Sequence, residues 1–278
     1  MVFSSHVASG TVGNRAMVFA LELLGLPVWA INTIQLAWHP GHGPSTRIVD
    51  DEAAFAGLVD DLAQKVDAQH PVAVLSGYLG SPSQAGPIAA FVQQARASDA
   101  LYAYLCDPVM GDHGGLYVPL DTAEAIRDQL VPLADIITPN RFELGWLSGG
   151  AQAVDTQEAV SQAKQLGVKT VLATSAPSMI TNSIGNLLVS GTDTFIAEHR
   201  LIEPVPKGTG DLFAALYFAH LIRGRRADEA LGAASGSVYA LANRAAKGAA
   251  HDFHLEQDQD LLRRPPPVPV RRLVSVRR

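Results

Sequence analysis

Lys207-Gly208-Thr209-Gly210-Asp211 runs directly into LFAALYFAHLI, Leu212 to Ile222. The second stretch is apolar nearly all round, so it reads as a helix buried in the fold. Its N-terminus leaves backbone N–H groups unpaired, and the glycines let a ligand approach them closely. Unpaired N–H groups and the helix dipole favour an anion at that end. A transferring phosphoryl group is such an anion. Its transfer asks for positioning, charge stabilisation and a carboxylate to take the acceptor's proton. Gly-x-Gly-Asp supplies the last two in four residues. Taken alone, it also reads as a tight turn with Asp211 as a helix cap.

Working outward from this helix, short apolar runs alternate with helical segments, the pattern of a doubly wound α/β fold. Strands are expected over Val2–Ser4, Val28–Thr33, Val72–Ser76, Leu101–Asp107, Ile136–Thr138, Thr170–Thr174, Ile184–Val189 and Thr194–Glu198. Several are β-branched and apolar on both faces, as central parallel strands are. Helices are expected over Gly13–Leu24, Glu52–Asp67, Ser83–Ser98, Thr122–Leu130, Arg141–Ser148, Thr156–Leu166, Gly210–Arg223 and Asp228–Ala246. Gly25 and Gly167 stand where a helix C-terminus needs a left-handed residue. One domain is expected over 1–262, followed by a basic, proline-rich tail over 263–278.

Composition narrows the class. Hydrophobic residues make up 47% and charged ones 17%, which suits a large core and excludes a disordered chain. No apolar run is long enough for a membrane helix, and Met1–Ser9 lacks the pattern of a signal peptide. The single cysteine, Cys106, reads as a small core residue, and its solitude suits a reducing cytoplasm. The net charge is −6, yet the last sixteen residues hold six arginines and no acid. The body is therefore more acidic still, which argues against a nucleic-acid surface. The tail, RRPPPVPVRRLVSVRR, favours extended chain, either solvated or packed along a neighbour, with docking as the sharper alternative.

In doubly wound sheets ligands sit outside the carboxyl ends of the strands. Those exits read Ser5-His6, Asn32-Thr33, Ser76-Gly77-Tyr78, Asp107-Pro108, Thr138-Pro139-Asn140 and Thr174-Ser175. Asp107 and Asp112, five apart in CDPVMGD, could hold a hydrated Mg²⁺ or sit as solvated acids on a turn. Asn140 with Glu143 reads as a capping box; a role for Glu143 near metal or phosphate is the alternative. His251 and His254 lack a third ligand, so no metal is expected there. There is no Walker A loop, and His39-Pro40-Gly41-His42-Gly43 is not a dinucleotide fingerprint.

Ser5-His6-Val7 with Gly13-Asn14, LSGYLGS at Leu75–Ser81, CDPVMGD at Cys106–Asp112, ADIITPNRFE at Ala134–Glu143 and GTGDLFAA at Gly208–Ala215 occur in one order. Together they make the chain resemble the pyridoxal kinases of the ribokinase-like superfamily over most of residues 3 to 247. The resemblance implies a three-layer ribokinase-like α/β fold, with a mostly parallel central sheet and helices on both faces. It implies ATP-dependent phosphorylation of the 5′-hydroxymethyl of pyridoxal, with Asp211 as base and Gly208, Thr209 and Gly210 as the anion hole. Asp107, Tyr117, Thr138, Glu143, Thr174 and Ser175 match nucleotide-side positions, and Asp112 and Glu143 match metal-side acids. Ser5, Val12, His39 and Tyr78 match residues around the pyridine ring. ATP and Mg²⁺ are implied, a monovalent cation is admitted, and a cytoplasmic homodimer is the family's usual form.

Departures cluster on the substrate side. Leu36 stands where the family has Phe, and Pro40 where it has a threonine that bonds the ring. The aromatic residues that normally follow are absent from Gly41-His42-Gly43-Pro44-Ser45. A lost polar partner costs about 1–3 kcal/mol, so altered ring specificity is one expectation, with Trp38 as an alternative stacking partner. A hydroxymethylpyrimidine kinase is the nearest rival, and a non-catalytic ligand-binding homologue is the rival from another class. Substrate rates separate the first, and ADP release the second.

Overall fold

Neighbouring residues on one strand part to opposite sides of the sheet, and this divides the core in two. The computed structural model describes residues 1–248 and 250–273. On the first strand, β1 (Val2–Val7), Val2 packs with the cluster on one face and Phe3 with the cluster on the other. Val74 and Leu75 divide the same way on β4 (Val72–Ser76), as do Leu105 and Cys106 on β5 (Leu101–Cys106). Both sides of each strand are therefore apolar, as a parallel strand covered on two faces demands.

The remaining strands of the large sheet are β2 (Ala30–Leu36), β3 (Arg47–Ile48), β8 (Ile136–Ile137), β9 (Thr170–Pro177), β10 (Ser183–Ser190), β11 (Asp193–Arg200) and β12 (Val270–Arg272). Their order is β12-β11-β10-β9-β8-β5-β4-β1-β2-β3. The block from β9 to β2 is parallel, and β3, β10, β11 and β12 are antiparallel additions. A separate hairpin joins β6 (Gly111–Asp112) to β7 (Gly115–Leu116).

On one face pack α2 (Glu52–Ala63), α3 (Ala85–Ala97), α4 (Leu120–Ala125), α5 (Arg141–Leu147) and α6 (Thr156–Gln165). On the other pack α1 (Asn14–Leu23), α7 (Thr209–Ile222), α8 (Ala227–Lys247) and α9 (Gln259–Arg263). Leu212 through His220 of α7 are all buried, between α1, α8 and the sheet. That enclosure is why the helix needs no polar face. Gly25 and Gly167 take positive φ after α1 and α6.

Several boundaries differ from expectation. β1 continues through Ser5-His6-Val7, past a register shift at Ser4/Ser5 that re-aims Ser5. β2 begins later and runs to Leu36 along β1. The segment expected as one helix over Thr122–Leu130 begins at Leu120 and widens to a π-helical turn at Ile126–Leu130. α2 stops at Ala63, where Asp67 and His70 form an isolated bridge. The tail contributes β12, and expectations for 274–278 fall outside the described residues. No helix among the described residues is long and apolar enough to cross a membrane.

Candidate active site

Gly208 takes φ +86 and caps α7. A Cβ there would stand 2.4 Å from the Thr11 carbonyl oxygen. The glycine thus lets the Thr11–Gly13 loop lie directly against the start of α7. From that loop the Gly13 N–H donates to Asp211 Oδ2 at 2.9 Å. Gly13 itself has φ +55, and a Cβ on it would meet the Ser5 carbonyl oxygen at 2.2 Å and Ser5 Oγ at 2.3 Å. Two glycines therefore bring Ser5, Val12 and Asp211 to one place. Asn14 pins the loop from below. Its amide donates to Ser4 O, Ile31 O and Asn32 Oδ1, at 3.1, 3.0 and 2.9 Å.

Asp211 keeps part of its surface open. Burial of the carboxyl raises its pKa, and the Gly13 N–H works in the opposite direction. Asp107 is buried at the end of β5 and accepts from Thr138 Oγ1 at 2.7 Å. Desolvation, then Glu143 and Asp211, push its carboxyl well above the usual range. The geometry therefore gathers acidic groups whose ionisation the burial opposes and the α7 N-terminus favours.

Glu143 is also buried. Its Oε1 accepts from the Met110 and Gly111 amides at 2.9 and 3.4 Å, and its Oε2 from the Asn140 amide at 2.8 Å. Asn140 Oδ1 accepts from the Glu143 amide in return, which completes the capping box. Desolvation pushes the Glu143 carboxyl up to about 7 against those three N–H donors. The same residue thus caps α5 and staples the CDPVMGD loop to it. Asn140 Nδ2 adds a bond to Gly111 O at 2.8 Å. Asp112 lies exposed on the β6–β7 hairpin, with Gly114 N donating to its Oδ1 at 3.0 Å. Tyr117 follows the hairpin. Tyr117 is 53% exposed, and desolvation, then Glu143, Asp107, Asp211 and Asp112, raise the pKa of its phenol.

A cleft of about 130 Å³ adjoins this group and is lined by Thr174 and Ser175 from β9 and by Thr209 and Gly210 from α7. Its walls are Ile184, Leu201, Val205, Phe213, Val238 and Ala242. Such a slot suits a planar heteroaromatic base with phosphates directed to the glycines. Sequence reasoning missed these walls, because apolar residues on buried elements carry no mark that separates pocket from core. Ser175 holds φ +53, unusual for a residue with a Cβ.

On the other side, Val12 packs with Val7, Ile34 and Leu36, and Tyr78 borders the same cluster. Tyr78 OH accepts from Arg47 at 3.4 Å. His39 caps the Pro40–His42 turn, where its Nδ1 accepts from Gly41 N at 2.9 Å. Desolvation, then Lys207 and His42, lower its pKa, so it is neutral near pH 7. Trp38 donates its indole N–H to Gly43 O at 3.2 Å and so closes its own loop. His251 stands near His42, not His254. No group of three or more His, Cys, Asp or Glu among the described residues is arranged to hold a metal unaided. Cys106 is buried, and desolvation pushes its thiol up to about 12, which leaves it inert.

Over 98% of its length the chain superposes on the pyridoxal kinase of Leishmania donovani solved with ADP and pyridoxine, with a TM-score of 0.89, 30% identity and 98% of that chain covered. The fold is thus that of the ribokinase-like small-molecule kinases. Residues 59–253 match the family described as phosphomethylpyrimidine kinase. Identity to pyridoxal kinase PdxY of Granulibacter bethesdensis is 38% over 253 residues, covering 87% of this chain and 88% of that protein. Identity to the protein of the same name from Corynebacterium diphtheriae is 35% over 242 residues, covering 85% and 86%. The chain belongs to the pyridoxal kinase family.

Proposed function

We infer that this protein transfers the γ-phosphoryl group of ATP to the 5′-hydroxymethyl of pyridoxal, with Asp211 as general base. The observation that carries the reading is the Gly13 N–H bond to Asp211 Oδ2. It fixes one carboxylate oxygen at the start of α7 and leaves the other free for a hydroxyl proton. The L. donovani relative is described with ADP and pyridoxine together, which supports two ligand sides meeting at this point. The apolar slot beside Thr174 and Ser175 takes the base, and the Ser5–Val12–Tyr78 side takes the pyridine ring. Asp211 removes the hydroxyl proton as the oxygen attacks in line. The Gly208, Thr209 and Gly210 amides, at a helix N-terminus, hold the charge that develops on the transferring group.

Mg²⁺ neutralises nucleotide phosphate charge when bound, and it needs only one or two carboxylates beside phosphates and water. Asp107 and Asp112 fit that role. Glu143 acts behind them, since its oxygens already accept three backbone amides. A homodimer in the cytoplasm belongs to the same reading.

Replacement of Asp211 by Asn tests it. Turnover should fall roughly 10²- to 10⁴-fold, the usual worth of a general base, while ATP binding is largely kept. Turnover at the unmodified level would sink the mechanism. Protein that bound pyridoxal and ATP yet released no ADP would establish the non-catalytic alternative.

A further inference from the structure

Residues 263–273 of the arginine-rich tail have no part in the chemistry above, yet they are built into the fold. Pro266 crosses α8 so closely that a Cβ on Gly236 would stand 1.9 Å from its carbonyl oxygen. Val268 and Val270 pack on the α7–α8 side of the core. β12 then pairs with β11, Val270 to Ala197 and Arg272 to Phe195. Between them Arg271 donates Nε to Glu198 Oε2 at 3.1 Å, and its Nη2 bonds the same oxygen.

Glu198 is the joint. Its side chain is 4% exposed. Its other oxygen accepts from Ser178 Oγ at 2.7 Å and from the Met179 amide at 2.8 Å. Ser178 and Met179 begin the loop that leaves β9, separated from Thr174 and the left-handed Ser175 only by Ala176 and Pro177. The residue after Glu198, His199, lines the same cleft and lies 4.8 Å from the Tyr239 ring. We propose that Arg271 is a positioning residue for the nucleotide: through Glu198 it fixes both the loop behind Thr174-Ser175 and the β11 wall of the cleft. Without the guanidinium, Glu198 would be a buried carboxylate with no cation, and it would relax by protonation or by releasing the loop. This inference rests on assigning that cleft to the nucleotide.

The test compares Arg271→Ala with Arg272→Ala. Arg272 sits on the same strand, but its partner is Asp193, away from the loop. Arg271→Ala should raise KM for ATP roughly three- to thirtyfold. Its kcat and KM for pyridoxal should stay within about twofold of the unmodified protein. Arg272→Ala should leave all three unchanged, and Arg271→Lys should recover part of the loss. Ser178→Ala removes one Glu198 donor without touching the tail, and should raise KM for ATP in the same direction if Arg271→Ala fails to fold. Unchanged KM for ATP in both Arg271→Ala and Ser178→Ala would overturn the proposal, as would equal effects of Arg271→Ala and Arg272→Ala. Val205→Asp places a charge on the cleft wall itself. If it leaves KM for ATP unchanged, the cleft assignment fails; if it raises KM while Arg271→Ala does not, only the relay fails.

Discussion

Gly13→Ala tests the contact on which the catalytic geometry depends. The new Cβ would stand 2.2 Å from the Ser5 carbonyl oxygen and 2.3 Å from Ser5 Oγ, at a backbone φ of +55. With ψ at −135 the backbone lies in a region essentially reserved for glycine, which costs an alanine about 1–3 kcal/mol. The overlap with Ser5 cannot be relieved by a flexible side chain, because the nearest atom is backbone. The Gly13 N–H must therefore withdraw from Asp211 Oδ2, now 2.9 Å away. A hydrogen bond to a charged group contributes about 1.5–3 kcal/mol. Its loss removes that preference for the ionised form and raises the pKa of Asp211 further. The sign follows from the bond favouring the carboxylate, and burial already holds that pKa above its ordinary value. The base works only when ionised, so the acidic limb of kcat/KM should move to higher pH. The assay is ADP release as a function of pH, with a thermal melt alongside. For a chain of this size each kcal/mol lowers Tm by about 2–4 °C. A variant with lowered turnover and an unmoved acidic limb would refute the reasoning, since the Gly13 N–H would then not govern the base.

Other outcomes follow from the same geometry. Gly208→Ala, whose Cβ would stand 2.4 Å from Thr11 O, should lower kcat by at least about tenfold, measured by ADP release at saturating substrates. Glu143 gains a proton as pH falls through about 7, so KM for ATP should rise below that pH and be nearly flat in Glu143→Gln. Because the folded pKa of Glu143 lies above its unfolded value, its titration weakens the fold as pH rises from about 4.5 to 7, which denaturant unfolding of the unliganded protein would register. On a panel of pyridoxal, pyridoxine, pyridoxamine and hydroxymethylpyrimidine, pyridoxal should give the highest kcat/KM for ADP release. A higher value for the pyrimidine would move the enzyme to the rival class.

The parallel core was legible because each of its strands is apolar on both faces and is followed by a polar exit and a helix. The additions at the sheet edges were less so. β3 and β12 are too short to show periodicity, and β12 follows a proline run that suggests extended chain without saying what it pairs with. The segment fits there because Gly232 and Gly236 open a seat on α8 for Val270 and Pro266, and that is a tertiary fact. β1 was undercounted because Ser5-His6 looks like an exit. A register shift lets the strand continue through these polar residues.

The site shows a sharper division between chemistry and shape. Asp211, Asp107 and Glu143 were singled out because carboxylates at strand exits and helix starts recur in one family order, and the structure sets the three near enough for Asp107 to feel the other two. The walls of the cleft beside Thr174 and Ser175 were not found, because Leu201 or Phe213 in a sequence says only that something apolar is wanted. Glu143 shows that two readings of one residue need not compete. Its capping box and its hold on the CDPVMGD loop share the same carboxyl group, since the amides it accepts come from Asn140 on one side and from Met110 and Gly111 on the other. A helix cap here is the means by which a loop of acids is held at the end of β5. Asp211 follows the same rule, at the start of α7 yet bonded across to Gly13 rather than within its own helix. The carboxylate that looked like a cap is free to be a base because a different loop supplies its N–H.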